Sequence, residues 1–432
     1  MTCMRSSSGG RSRASPRSGA DVDGQQERRA PLEGLRVLDL SRVLAGPWCG
    51  QLLADLGADV VKVERPQGGD DTRAWGPPHL KDAEGRATSE SAYYLCTNRN
   101  KRSVTIDMAQ PEGQALIRKL AAQADVVIEN FKCGSLAKYG LDYSALAELN
   151  PRLVYCSITG FGQTGPYAAR AGYDLLIQGM GGLMSITGRA EEDEGAGPQK
   201  VGVALTDIMT GLYATIAVQA ALAERERSGR GQQIDLALLD VQVACLANQA
   251  SNYLAGGVVP RRMGNAHPNI VPYQDFQTAD GHMILAVGND AQFARLCEVA
   301  GHGEWAADER FANNPQRVAN RSVLIPMIRN ATLQRTTREW VDALEAAGVP
   351  CGPINRIDEV FDDPQVRSRG LRIELPHPAA GVVPLVANPI RLSATPVEYR
   401  RAPPMLGEHS QQVLRDWLGR DAPDATAKAD PS

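Results

Sequence analysis

Aromatic residues make up only 5% of the chain, which leaves few flat side chains on which bases could stack. An excess of positive charge is also missing. Lys+Arg 46 against Asp+Glu 50 gives a formal −4 and a pI of about 6.0. That balance provides no field to hold nucleic acid or an anionic membrane, although it leaves room for a local basic pocket. The cysteines, at 3, 49, 96, 133, 156, 245, 297 and 351, form no CxxC pair and are all more than twenty residues apart. They read as reduced core thiols in a chain large enough to fold without disulfides, which suits a cytoplasmic setting. The six histidines are scattered, with no HExxH and no dense ligand cluster, so no metal site is expected. No apolar run is read as long enough to span a bilayer, and the start lacks a signal-peptide core. Neither nucleic acid nor membrane is expected as a partner.

What is present is an ordinary globular composition, 43% hydrophobic and 22% charged over 432 residues, a length that suits two packed domains. The ends differ from the body. The first twenty residues hold four arginines and six serines, with no acid and almost nothing large and apolar. Residues 1–30 are therefore expected to be a disordered extension, and 421–432 a flexible tail. An Arg- and Ser-rich start without early acids also fits a mitochondrial transit peptide, the alternative to a cytoplasmic location, although it lacks an apolar helical face.

The body opens as alternating strands and helices. LRVLDL (35–40), DVVKVE (59–64), SVTIDM (103–108), ADVVIENF (124–131) and RLVYCSITGF (152–161) read as strands. Helical spacing separates them in QLLADLG, after Pro111 and around Tyr143–Leu149. Strands this apolar, alternating with helices, imply an α/β fold with a Rossmann-like parallel sheet covered on both faces. Functional groups should then gather at the strands' carboxyl ends, at Ser41–Gly46, Glu64-Arg65, Asn130-Phe131 and Thr159–Gly162. The first strand is followed by SRVLAGPWCG rather than GxGxxG, which disfavours a dinucleotide site and a dehydrogenase.

Further along, EEDEG (191–195) reads as a polar surface loop, and Ile208–Arg227 as a long helix closed by Gly229–Gly231. Asp207 stands at the start of that helix. It reads either as a plain cap meeting free backbone N–H groups or as a carboxylate kept ready to attack a carbonyl. GRGQQIDLALLD (229–240) reads as a tight turn into a strand or a buried helix, and residues 231–260 as a whole are expected to be a linker helix. The sequence RRMGNAHP (261–268) reads as either an anion-binding loop or an ordinary connection. A smaller α/β domain is assigned to 261–350, and 351–420 is expected to return to the large domain that begins at 31.

In several ordered stretches the chain resembles the class III coenzyme A transferases, the family of formyl-CoA, carnitine and succinyl-dicarboxylate CoA-transferases. They include PLEGLRVLDLSRVLAGPWCGQLLADLGADVVKVERP, YYLCTNRNKRSVTIDM, ADVVIENFKCG, YCSITGFGQTGP, RAGYDLL, VGVALTDIMTGLYA, SGRGQQIDLALLD, MGNAHPNIVPYQDF, GVPCGPI and MLGEHS. Together they run from Pro31 to the final helix, and their order makes the resemblance specific. It is most marked toward enzymes exchanging CoA between succinate and glutarate or other dicarboxylates. The resemblance implies two interlocked ring-like subunits, CoA thioesters as substrates, small carboxylic acids as acceptors and no tightly bound cofactor.

It also implies roles for individual residues. Asp207 corresponds to the nucleophile, which would carry an aspartyl-CoA thioester, and Asp174 to an acidic neighbour that orients it. Val43, Ala45, Arg65, Ile106, Asn130, Phe131, Lys138 and Tyr139 correspond to positions along the CoA path. Leu44 stands where formyl-CoA enzymes carry Gln, and Ala109 where the family has a lysine. Arg261 and Arg262, with Gly264 and His267, are the candidates for seating a substrate's second carboxylate. An acyl-CoA racemase of the same fold would pair a His with Asp174, and Tyr173 stands there instead. A non-catalytic CoA-binding module is the rival from another class.

Overall fold

The computed structural model describes residues 29–419. The extension expected over 1–30, apart from its last two residues, and the tail at 421–432 lie outside them. Six short runs form one sheet: β1 (Arg36–Asp39), β2 (Asp59–Glu64), β3 (Arg102–Thr105), β4 (Val126–Glu129), β5 (Val154–Thr159) and β6 (Gln233–Ala237). Every neighbouring pair is parallel, in the order β3-β2-β1-β4-β5-β6. β4, with sequence VVIE, is buried throughout, which is why it reads as an unbroken apolar run rather than an alternation.

The helices that frame the site are α1 (Ala45–Asp55), α2 (Pro111–Ala122), α3 (Asp174–Met180), α4 (Leu205–Ser228), α5 (Leu238–Ala244), α6 (Ala247–Gly256) and α7 (Ser410–Leu418). On one face of the sheet, Leu116, Ile117 and Leu120 of α2 and Val413, Leu414 and Trp417 of α7 cover Leu38, Val61, Val104 and Val127. On the other face, Cys49 and Leu53 of α1 and Ala214, Val218 and Ala221 of α4 cover Val37, Val60, Val126 and Ile128. The sheet is therefore doubly wound. Its strand order reverses between β1 and β4, and the crevice at their carboxyl ends is where such sheets receive ligands.

Two expectations need correction. Residues 231–260 are not one linker helix: β6 completes the large sheet, and α5 and α6 follow as separate helices. The chain turns between them at Cys245-Leu246, and Ala247 takes a left-handed φ of 46°. Second, α4, at 24 residues, is long and apolar enough by composition to cross a membrane. Many of its residues are small rather than bulky, so no apolar run stands out in the sequence. One side lies in the core of the sheet, while Leu212, Tyr213 and Ile216 stay exposed on another.

A second core forms around the antiparallel strands β7 (Tyr273–Gln277), β8 (His282–Ala286) and β9 (Cys351–Pro353). Phe276, Met283, Phe293, Trp340 and Leu344 fill it. After the hairpin of β10 (Arg372–His377) and β11 (Gly381–Val386), the chain comes back to the large sheet. There His409 N donates to Ser103 O at 3.0 Å, and Trp417 Nε1 to Asp59 Oδ2 at 2.9 Å.

α1 and α4 cross so closely at Gly211 that a Cβ there would lie 2.8 Å from Ala45 O and 2.9 Å from Trp48 Cβ. This approach sets the distance between the start of α1 and the first turn of α4. Gly211→Val should cost about 1–3 kcal/mol, as overpacking does, because backbone atoms would have to move. Urea unfolding midpoints check this, and a variant as stable as the parent would show the crossing to be pliable.

Candidate active site

The site is built where β1 and β4 end. Leu40 N still donates to Ile128 O at 2.8 Å, and then the two chains diverge. Asn130 holds the loop after β1 from across the gap, accepting from Arg42 N at 2.9 Å and donating to Arg42 O at 2.7 Å. Val43 follows with φ of 71°, a costly conformation for a β-branched residue. Its N–H is held by the Asp70 carboxylate, at 3.2 Å from Oδ2. Asp70 is paired with the buried Lys62 at 2.8 Å. Burial would raise the Asp70 pKa, but the Lys62 ammonium outweighs it and holds the carboxyl at about 2. Ala45 then begins α1, whose N-terminus has no side-chain cap.

Asp207 is half-buried in the first turn of α4. The residue at the N-cap position, Ala204, has no side chain to cap the helix, and Asp174 of α3 does so from outside. One Asp174 oxygen accepts from Thr206 N at 2.8 Å and from Asp207 N at 3.3 Å; the other accepts from Gln178 Nε2 at 2.6 Å. Gln178 in turn accepts from Val201 N at 2.9 Å, tying down the strand-free segment before α4. Burial, and then the charge of Asp174, push the Asp207 carboxyl up to about 7. Such a group is only partly desolvated, and it is more basic than an ordinary aspartate when ionised.

Asp207 lines a cavity of about 160 Å³ together with Val43, Ala45, Asn130, Phe131 and Gly160. A second cavity, of about 170 Å³, is lined by Lys62, Arg65, Asp70, Ile106, Ala109 and Phe131. The two share Phe131 and Arg42, whose guanidinium sits 5.1 Å from the Phe131 ring centre. The structure thus groups Asp207, Val43, Ala45, Asn130 and Phe131 around one cavity and Arg65 and Ile106 around its neighbour, while Asp174 lines neither and holds the Asp207 turn through its N–H groups. Arg65 Nη2 is bonded to Asp71 Oδ1 at 2.7 Å, so a phosphate would have to share it. Lys138 and Tyr139 stand apart on the 3-10 turn Ala137–Tyr139, with the ammonium 4.6 Å from the Tyr139 ring, and line neither cavity.

The proposed second-carboxylate seat lies elsewhere. Arg261 pairs with Glu192 at 3.0 Å and Arg262 with Glu191 at 3.4 Å, because the acidic loop folds against them. Gly264 turns the chain at φ of 60°, and His267 Nδ1 accepts from Asn269 N at 3.1 Å. Arg261 borders a cavity of about 530 Å³ beside α6, which shares no residue with that of Asp207. Other residues come to the site unannounced by the sequence reading. Burial, then the charges of Asp207, Cys96 and Asp174, raise the Tyr93 hydroxyl to about 12, and Trp75 meets the Tyr93 ring edge-on at 5.0 Å. Arg42, Lys132 and Arg170 line the Asp207 cavity. The one signal for Arg170 in the sequence is its place four residues before Asp174.

A doubly wound sheet with a basic, half-buried carboxylate at its switch-point crevice defines a group-transfer enzyme rather than a dinucleotide oxidoreductase. Residues 32–410 match CoA-transferase family III, and the chain belongs to that family. It is 58% identical over 389 residues to the succinate–glutarate CoA-transferase of Agrobacterium fabrum, covering 90% of this chain and 96% of that one. It is 44% identical to the human succinyl-CoA:glutarate CoA-transferase, over 90% of this chain and 87% of the relative. Among solved structures, a CAIB/BAIF family protein from Brucella suis superposes with a TM-score of 0.79 at 53% identity, covering 90% of this chain and all of that one (100%).

The raised Asp207 pKa has two consequences whose signs follow directly. With Asp207 as the attacking group, a role that the proposal below gives it, kcat/KM for the acyl-CoA should rise with pH through an inflection near 7, because a carboxylate must be ionised to attack. The inflection should persist in Glu129→Gln, although burial also raises that carboxyl to about 7. For stability, the unfolded chain loses the Asp207 proton from the ordinary aspartate value of 3.8 upward while the native one keeps it to about 7. Native stability therefore falls across that window, by up to about 4 kcal/mol, and stays level above it. Asp207→Asn should match the parent near pH 4 and exceed it at pH 8 in urea unfolding. An equal difference at both pH values would contradict the assignment.

Proposed function

We propose that this enzyme moves CoA from succinyl-CoA to glutarate or a related dicarboxylate through covalent intermediates on Asp207. The observation that carries the reading is a single one: a half-buried, proton-avid Asp207, capped by Asp174, lining the cavity at the carboxyl ends of β1 and β4. The names of the relatives reported above support the substrate class.

The steps balance without an outside reactant. Ionised Asp207 attacks the thioester carbonyl, CoA thiolate leaves, and an acyl–aspartyl anhydride remains. The thiolate attacks the aspartyl carbonyl, releasing the first carboxylate and leaving an aspartyl-CoA thioester. The acceptor carboxylate attacks that thioester and forms a second anhydride, and the thiolate then completes the new acyl-CoA and regenerates Asp207. Each tetrahedral oxygen needs donors, and the uncapped first turn of α1 at Ala45 offers backbone N–H groups beside the same cavity. Asp174 acts on Asp207 in two ways. It fixes the first turn of α4 through two N–H groups, and its charge keeps the nucleophile basic. Arg65 borders the neighbouring cavity, where CoA would extend past Phe131. Racemisation needs a second group to exchange the α-proton, and among the described residues no histidine lines the Asp207 cavity.

A second copy of the chain is proposed to cover the exposed apolar residues of α3, α4 and α6, among them Leu175, Ile216 and Leu254. Sedimentation giving only a 46.4 kDa species would remove the dimer from this reading. For the chemistry, enzyme incubated with succinyl-CoA and digested should yield a CoA adduct on the peptide that contains Asp207. Asp207→Ala should lose both the adduct and exchange while remaining folded. An active Ala variant, or an adduct elsewhere, would reassign the nucleophile.

A further inference from the structure

A dicarboxylate bound at Asp207 leaves its far carboxylate inside the same cavity, where it needs a cation or several donors. Three cations line that cavity: Arg42, Lys132 and Arg170. Arg42 is already paired with Asp71 at 3.2 Å and lies against Phe131. Lys132 follows Asn130-Phe131 directly and also lines a smaller pocket with Glu129, Cys133 and Gln163, with no ring behind its ammonium among the described residues. Arg170 differs from both. Its guanidinium carbon sits 4.6 Å from the Tyr167 ring centre and 5.0 Å from that of Phe161, and these rings meet edge-to-face at 5.5 Å. Among the described residues it has no carboxylate partner, and its one side-chain hydrogen bond is a 3.7 Å contact from Nη2 to the Met180 sulfur.

The segment carrying Arg170 is also firmly placed. Gly160, just beyond β5, and Gly172 touch backbone to backbone, so that a Cβ on either would fall about 2.5 Å from the other's Cα. That contact sets Arg170–Tyr173 on the end of the sheet, immediately before Asp174. An aromatic-backed guanidinium keeps its plane fixed and its N–H edge open, which suits two-pronged binding of a carboxylate.

We infer that Arg170 anchors the non-reacting carboxylate of the acyl group and so makes this site selective for dicarboxylates. The inference rests on the dicarboxylate reading above and specifies the residue responsible for it. Arg261 and Arg262 are not needed for this purpose, being neutralised by Glu192 and Glu191.

The test compares glutarate with pentanoate, which carries a methyl group in place of the second carboxylate. In a two-stage exchange the acceptor's kcat/KM does not depend on the donor, so any effect of the variant on succinyl-CoA drops out of the comparison. The parent should favour glutarate by roughly 100-fold or more. Arg170→Ala should bring that ratio to within about 5-fold of unity, by losing glutarate activity while pentanoate stays within about 3-fold of the parent, and Arg170→Lys should fall between. Lys132→Ala should keep the parent's preference. A parent that uses both acids equally would overturn the dicarboxylate reading and the anchor with it. A preference that survives in Arg170→Ala, an equal loss for both acids, or a collapse in Lys132→Ala instead would overturn the anchor alone.

Discussion

Two buried lysines hold up the floor of this site. Lys62, on β2, donates to Ser41 O at 2.9 Å and pairs with Asp70. Lys101 pairs with Asp39 at 3.0 Å and donates to Pro47 O at 2.8 Å. Between them they grip both ends of the loop that joins β1 to α1, and Asp70 and Asn130 hold its middle. Without that grip Val43 would relax from its left-handed conformation, a release on the order of 1–3 kcal/mol, and the start of α1 would move with it. Removing one member of such a pair typically costs 3–5 kcal/mol, because the other charge is left without a partner. The loop is thus held by electrostatics below and by close helix packing at Gly211 above.

The same economy of parts appears at Asp207. α4 lacks a capping side chain of its own, and a carboxylate from another helix takes the vacant N–H groups. Capping and pKa control are therefore one interaction rather than two. A local Ser or Asn at the N-cap position could have satisfied the N–H groups, but a neutral cap would place no charge beside Asp207. Folding of the helix end and the raised pKa of Asp207 thus rest on one side chain, Asp174.

Much of the fold could be read from the sequence because central parallel strands are buried on both faces. The runs around Val37, Val60, Val126 and Val154 stand out for that reason, and the breaker after α4 is marked by Gly229. β6 was obscured because it is an edge strand with only one buried residue, Ala237. The break between α5 and α6 lies in a stretch without Gly or Pro, so nothing local announces it. For the site, Asp207 and the strand-end residues were legible through position and resemblance. The ion pairs that Arg261 and Arg262 make were not, because the pairing of an arginine with a loop some seventy residues earlier leaves no local pattern. Arg170 was hidden for the converse reason: its surroundings come from Phe161, Tyr167 and a glycine–glycine contact that only the assembled sheet creates.

The docking of α7 has a consequence for how the molecule is made. Arg36, on the first strand, stacks over Trp417 on the last described helix at 5.5 Å, and Arg102 on β3 bonds Asp416 at 2.6 Å. Until α7 has been added, that face of the parallel sheet has only α2 for cover, and part of the apolar surface around Leu38, Val61 and Val104 stands open to water or to neighbours. The unit around β7–β9 draws on one continuous stretch and can close early. The large unit must wait for α7. Its maturation is slow in the manner of folds that rely on distant pairings, and exposed to aggregation in the interval. Cells making this enzyme in quantity have reason to supply it with a holdase until α7 arrives.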